Sequence, residues 1–261
     1  MIIPAIVCIA KLEQDYIEEF VKYHLALGFK YIYLYDNEDE PTYQKMLEKY
    51  KENVIVIHTP FNNHYKPIQY IVLDHFRDNF LFKTDITHIA HIDIDEFIVL
   101  KKHKNICDFI QEYIVGDCQG IGMNWRFFGS SGKTNKTNEP LTLRFTMCEE
   151  KGNKHIKTIL KKDNFLGYTD CHNPDYSYGY TTTTDNKIII GPFNDAINFD
   201  VIQLNHYKCK TLEEFRHIRK RQRADLIGNI NENIDEVFKV YDINEIEDLH
   251  AYNFYKPLSL L

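Results

Sequence analysis

THIAHIDIDEFIVL, residues 87–100, is the stretch on which the reading of this chain turns. It starts as an apolar-rich run, meets the acids Asp93, Asp95 and Glu96 within four residues, and returns to Phe97-Ile98-Val99-Leu100. Acids at the end of an otherwise buried run are costly unless something there uses their charge. Asp93 and Asp95 stand two apart, so on an extended strand both point to the same side. Paired carboxylates suit a hard divalent cation, Mn²⁺ or Mg²⁺, which prefers oxygen ligands. The competing reading is a strand end with solvated acids.

Upstream of this stretch, elements alternate. Residues 2–9 (IIPAIVCI) read as a buried strand, and 14–27 as a helix with one broad apolar face that ends at Gly28. Residues 30–35 (KYIYLY) read as a second strand stopped by Asp36-Asn37. Pro41 opens a short helix to residue 50, 54–57 is a third strand, and Pro67 starts a helix over 68–82. The order β-α-β-α-β-α-β predicts an α/β fold with a parallel sheet and helices on both faces. Such sheets bind ligands at the carboxyl ends of their strands. Lys11 and Glu13, Asp36 and Asn37, and Asp93 and Asp95 all fall at such ends.

After residue 100 the rhythm changes. A helix is expected over 106–115 and a strand over 119–128, leading into the flexible turn Gly129-Ser130-Ser131-Gly132-Lys133. Further strands are expected at 142–147, 155–160, 187–190 and 201–204. Thr211 at N-cap with Glu at N3 forms a capping box and opens a helix. The expected organisation is a catalytic domain over 1–210 with a helical appendage, 211–261, packed on it. The basic residues Arg216, Arg219, Lys220, Arg221 and Arg223 read either as a solvated face or as a dock for an acceptor or phosphate. Residues 229–261 read as short helices and a surface tail.

The net charge of −7 over 261 residues argues against general nucleic-acid or anionic-membrane binding. Six scattered cysteines without C-x-x-C spacing indicate neither a zinc site nor a redox dithiol, and suit a protein with free thiols. No apolar run has membrane-spanning length, and the apolar start lacks a signal-peptide frame. The expected location is the cytoplasm, that of the host if the Lys-, Asn- and Ile-rich composition reflects an AT-rich viral genome. Oligomeric state is not legible.

Two carboxylates alone under-coordinate a metal, which is normal when a substrate diphosphate completes the shell. His206, directly after a predicted strand, is the expected third ligand, with His172 as runner-up and a structural role as the alternative for either. Lys208 and Lys210 close behind are placed to neutralise phosphate. Asp36 suits a base or ribose, though an Asp-Asn pair also makes turns. Trp125, the only tryptophan, suits core packing or a sugar ring. Gln69, in a helix's first turn, and Lys157, on a strand, are further candidates for ribose or phosphate. Gly-x-Gly-x-x-Gly, Walker and Gly-x-Ser-x-Gly patterns are absent, against dinucleotide binding, P-loop hydrolysis and an α/β-hydrolase.

Taken in order, the pieces resemble the GT-A-fold glycosyltransferases of the family-92 and family-2-like group. They are Lys11-x-Glu13, Tyr23-His24 with Leu27-Gly28, Tyr35-Asp36-Asn37, Gln69 and His91-Ile92-Asp93-Ile94-Asp95-Glu96. Then come Asn124-Trp125-Arg126-Phe127-Phe128-Gly129, Lys157, His172, Asn205-His206-Tyr207 and Glu213-Glu214-Phe215. The resemblance implies a GT-A, Rossmann-like mixed sheet with C-terminal helices. It also implies a nucleotide-sugar donor, most often UDP-linked, and a glycan or glycoconjugate acceptor. Mn²⁺ (or Mg²⁺) would bridge Asp93 and Asp95 to the diphosphate with His206 close by. Asp36 would lie near the nucleoside, and Gly129 with Trp125 would line the sugar and acceptor side. Family 92 implies inversion, which needs an acidic base; Asp195, Asp175 and Glu213 are the candidates, with none matched by motif. The alternatives are a haloacid-dehalogenase-type phosphatase and a non-catalytic GT-A-like protein that binds glycan or nucleotide.

Overall fold

The computed structural model describes residues 1–60, 66–221, 224 and 233–260. Strands β1 (Pro4–Ala10), β2 (Tyr31–Asp36), β3 (Val54–His58) and β4 (His88–His91) alternate with helices α1 (Ile17–Ala26), α2 (Tyr43–Met46) and α3 (Ile68–Asn79). β1 pairs in parallel with β2 and β4, and β2 in parallel with β3. The expected parallel half is therefore present, in the order β3-β2-β1-β4.

Strand alternation assigns the two faces. On β1, Ile6 and Cys8 join Phe20 and Val21 of α1 in one core, while Ala5 and Val7 join Val72 and Phe76 of α3 in the other. Each helix covers its own face of the sheet, which places the connecting loops together at the strands' carboxyl ends. α1 stops where Gly28 takes φ +107°, a left-handed conformation that a side chain disfavours.

The second half comprises β5 (Glu96–Leu100), α4 (Ile106–Tyr113), β6 (Cys118–Phe127), α5 (Leu141–Arg144), β7 (Met147–Cys148), β8 (Asn153–Lys161), β9 (Phe165–Tyr168), β10 (Pro174–Tyr176), β11 (Tyr180–Thr182), β12 (Ile188–Ile189) and β13 (Ile202–His206). It closes with α6 (Leu212–Ile218), α7 (Ile234–Tyr241), β14 (Ile246–Glu247) and α8 (His250–Leu258). β8 runs antiparallel between β4 and β6, and β11 and β12 extend the sheet beyond β6. β13 lies parallel to β6 and antiparallel to β5. The result is a ten-stranded mixed α/β sheet with flanking helices, as in a GT-A nucleotide-sugar transferase fold.

Two expectations need correction. The strand expected at 142–147 is instead the short helix α5 followed by β7. Pro140 precedes it, and the buried Glu19 carboxylate of α1 accepts the N–H groups of Leu141 (2.6 Å) and Thr142 (2.9 Å), so a capped turn replaces the strand. The turn at 129–133 is not free either. Asp242 accepts the N–H of Ser130 and Asn244 that of Ser131, each at 2.7 Å, so the C-terminal segment pins it. That segment is built into the fold: β14 pairs with β7, and Phe254 and Tyr255 of α8 lie against Tyr23 of α1. Arg223 and residues 229–232 lie outside the described residues. Among those described, no helix is long and apolar enough to cross a membrane.

Candidate functional site

The acidic stretch is not one strand. β4 stops at His91, residues 92–95 turn, and β5 starts at Glu96. The turn is closed by its own third acid: Glu96 Oε2 accepts the Asp93 N–H at 2.7 Å, and the Glu96 N–H donates to the Asp93 carbonyl at 3.0 Å. The same-side geometry expected for Asp93 and Asp95 rests on extended backbone, and this turn removes it. The two acids face different partners.

Asp93 faces the sheet. Lys157 Nζ lies 3.4 Å from Asp93 Oδ2 and 3.9 Å from Glu96 Oε2, and Gln69 Nε2 lies 3.5 Å from Asp93 Oδ1. Lys157 sits on the central strand β8 and is buried, so the ordinary expectation that a strand lysine faces water fails. Burial works against its charge, but Asp93 and Glu96 more than offset this and hold its pKa above the usual lysine value. Asp93 remains about a third accessible at the rim.

Asp95 faces β13. Residue pairing sets His206 opposite Glu96, and Tyr207 N–H donates to the Asp95 carbonyl at 2.8 Å. His206 Nε2 consequently lies 3.6 Å from Asp95 Oδ1, and Lys210 Nζ 3.7 Å from Asp95 Oδ2. Burial pushes the Asp95 pKa up, yet His206, Lys210, Arg221 and Lys208 pull it below the usual carboxylate range. Burial also lowers the His206 pKa to about 3, so its imidazole is neutral at physiological pH and the lysines and Arg221 supply the positive field.

The loop after β1 borders the same cluster. Glu13 is buried, and Arg221 Nη1 donates both to its carboxylate and to the Lys11 carbonyl. Burial raises the Glu13 pKa and Arg221 opposes the shift. Lys11 itself reaches Asp39 at 3.5 Å. Just beyond Arg221, the Ala224 carbonyl accepts the Gln69 N–H at 3.0 Å. Arg221 thus meets the loop after β1, and Ala224 the start of α3. Asp36 is fully buried, and its two oxygens accept the N–H groups of Glu38 (3.1 Å), Thr42 (2.7 Å) and Tyr43 (3.1 Å). It organises its own loop, while Asn37 Nδ2 donates to the Thr59 carbonyl at 2.7 Å.

Trp125 stacks on His155 (4.9 Å between ring centroids) and meets His206 edge-on at 4.6 Å. It stands at a β-bulge that breaks the β6–β8 register between Asn124 and Trp125. His172, the runner-up ligand, meets Trp125 edge-on at 5.3 Å between ring centroids, with its Nδ1 bonded to the Ile156 carbonyl at 2.8 Å. Lys208 Nζ lies 4.0 Å from the centre of the Tyr241 ring. Gly129 is packed so closely that a Cβ there would stand 2.4 Å from the Ile243 carbonyl oxygen. Among the base candidates, Asp195 is exposed and follows Asn194, whose amide donates to Asn124 at 2.8 Å beside Trp125. Asp175 is exposed in the β9–β10 hairpin and accepts from Thr169. Glu213 is exposed on α6 and accepts the Lys136 N–H at 3.4 Å.

Sequence reasoning assigns no role to Glu96 and no specific one to Arg221. Glu96 is signalled as a third acid in four residues, and Arg221 as one arginine in a basic run whose docking role the solvated-face reading obscures.

Among the described residues, no group of three or more His, Cys, Asp or Glu side chains is arranged to hold a metal ion. The convergent pair is Asp95 with His206. An ionised carboxylate facing a neutral imidazole is a donor pair suited to a divalent cation such as Mn²⁺, whose other positions a diphosphate and water can fill. A cation there would have two protein ligands, with Asp93 at the rim.

Solved structures are similar to part of the chain. Residues 1–349 of TarS from S. aureus are similar at 15% identity with a TM-score of 0.38, over 62% of this chain and 47% of that one. HddC from Yersinia pseudotuberculosis is similar at 12% identity with a TM-score of 0.35, over 62% of this chain and 77% of that one. The chain thus covers about half the length of that TarS structure. No curated protein sequence matches it. The sequence profile described as "Glycosyltransferase family 92" matches residues 3–248, nearly the whole chain, and the protein belongs to that family.

Proposed function

We propose that the chain is a metal-dependent glycosyltransferase that moves a sugar from a nucleotide-sugar, UDP-linked, to a hydroxyl of a glycan or other acceptor, with inversion. The phosphatase alternative falls with the family assignment. The observation that carries the reading is the meeting of Asp95 and His206 at the carboxyl edge of the sheet, ringed by Lys157, Lys210 and Arg221.

In this reading Asp95 and His206 would hold Mn²⁺ or Mg²⁺, with Asp93 at the rim nearby. The bound cation supplies charge compensation for the departing diphosphate. The chain's own residues do the rest. Lys208 and Lys210 add positive charge on the diphosphate side, and Lys157 holds Asp93 in place. Lys11, Glu13, Asp36, Asn37 and Gln69 shape the loops around the nucleoside and ribose. Trp125 and the Gly129 turn form the sugar side. Asp195 is the favoured base because its loop is tied to the strand that carries Trp125. It takes the acceptor's hydroxyl proton as that oxygen bonds to the anomeric carbon and the bond to the diphosphate breaks. Asp175 and Glu213 already serve exposed local contacts. Residues 1–210 act as the catalytic unit and 211–261 as a buttress, working in the cytoplasm.

The test is release of UDP from a panel of UDP-sugars with Mn²⁺, for the native protein and for Asp95→Asn. Native turnover that Asp95→Asn loses supports the reading. Turnover retained by Asp95→Asn contradicts it. UDP binding with no turnover on any acceptor favours the non-catalytic alternative.

A further inference from the structure

We propose that Lys210 is a built-in counter-ion for Asp95 that makes cation binding conditional on the nucleotide's diphosphate. The inference rests on the reading that a nucleoside diphosphate binds at this edge. Lys210 Nζ is buried, has no hydrogen bond to any described residue, and lies 3.7 Å from Asp95 Oδ2 and 4.7 Å from the centre of the Tyr16 ring. A buried ammonium with unsatisfied N–H groups is expensive, so its position calls for a function. Its backbone is held in place: Lys210 takes φ +56°, and the next residue, Thr211, is locked by the capping box with Glu214. The ammonium is thus fixed beside the carboxylate that a cation would need.

Charge at this edge is already nearly balanced. Glu13, Asp93, Asp95 and Glu96 face Lys157, Lys210 and Arg221. A bare divalent ion arriving at Asp95 must share that carboxylate with Lys210, and the two positive charges repel at low local dielectric. A diphosphate reverses the balance, because its negative oxygens are attracted both by the cation and by Lys210. Cation and nucleotide therefore bind as coupled ligands, and each strengthens the other by the same factor. Removing the ammonium should loosen that coupling from both sides. The bare cation gains, and the cation–diphosphate pair loses. A residue with only a packing role would not produce such a crossover.

The experiment follows free Mn²⁺ by its electron paramagnetic resonance signal during titration of the native protein, Lys210→Met and Lys210→Arg, each with and without UDP. A protein-free titration corrects for Mn²⁺ held by UDP itself. The native protein should take up Mn²⁺ at least about tenfold more tightly with UDP than without it, a typical coupling. Lys210→Met should bind bare Mn²⁺ at least about tenfold more tightly than the native protein and lose most of the response to UDP. Lys210→Arg, which keeps the charge, should behave like the native protein. Equal Mn²⁺ affinity with and without UDP in the native protein overturns the proposal while leaving the donor site standing; this arm needs no variant to fold. Lys210→Met that binds bare Mn²⁺ no better than native also overturns it. If the native protein binds neither UDP nor Mn²⁺ in any combination, the donor reading itself fails and the proposal with it.

Discussion

Two buried charge clusters meet at Tyr16 and are built in opposite ways. On one side, Arg144 gives both Nη atoms to Glu214 (2.6 and 3.2 Å), and Tyr16 donates its hydroxyl to the same carboxylate at 2.9 Å. Thr211 adds its N–H and hydroxyl, so Glu214 is surrounded by short bonds, and Arg144 Nε is the one atom of these side chains without a partner among the described residues. On the other side, Lys210 lies over the face of the Tyr16 ring, and His206 and Lys210 stand 3.6 and 3.7 Å from Asp95, beyond hydrogen-bonding distance. Around them Lys210 Nζ, His206 Nδ1, Trp125 Nε1, Glu96 Oε1 and Glu13 Oε2 lack hydrogen-bond partners among the described residues. The closed cluster fastens α5 and α6 to each other and to the start of α1. The open one keeps bonding capacity in reserve at the edge where ligands bind, and native proteins leave such gaps mainly where function needs them.

Substitutions on the two sides should part company. The largest effect belongs to the open cluster: Asp95→Asn should lower transfer from a UDP-sugar by about 10³-fold with the far-UV circular dichroism unchanged. Steady-state kinetics checks it, and a loss under about tenfold would break the contrast. Next, Glu214→Ala strands a buried guanidinium and should cost about 3–5 kcal/mol in urea unfolding.

Glu19, which caps α5, sharpens the comparison through pH. Burial is the main cause that raises its pKa to about 6, opposed by the hydrogen bonds from Thr142 and Leu141. Because the folded value lies above the ordinary one, the stability it contributes is full below about pH 4.5 and is lost as pH rises through about 6. Relative to Glu19→Gln, the native protein should therefore lose on the order of 2 kcal/mol between those limits, read from urea midpoints at each pH. Gly129→Ala, forced against the Ile243 carbonyl, should cost about 1–3 kcal/mol in the same assay. Smallest of all, Glu213→Ala and Asp175→Asn should change stability by less than about 0.5 kcal/mol and leave turnover as it was, since both sit on the surface.

The fold was legible where periodicity speaks. The parallel half, its helices and the end of α1 at Gly28 follow from alternation, apolar faces and a glycine that takes positive φ. The capping box at Thr211 was legible for the same reason: its partners are neighbours in sequence. What stayed hidden depends on distant partners. Nothing local reveals that Glu19 will turn 141–144 into a helix, or that Asp242 and Asn244 will pin the glycine-serine turn. The site divides similarly. Strand ends pointed to Asp95 and His206, and the structure brings their side chains within 3.6 Å, whereas the same-side geometry expected from the D-x-D spacing gives way to the turn that Glu96 closes. Arg221 was visible only as charge, and its contact with Glu13 joins residues 208 positions apart in the chain.

Isothermal titration of UDP into the native protein, with Mn²⁺ and again with chelator, tests the carboxyl-edge site most directly. Saturable binding that weakens by at least about tenfold on chelation, and is lost in Asp95→Asn, is the predicted result. Binding that Asp95→Asn leaves unchanged, or no binding under either condition, would contradict the account.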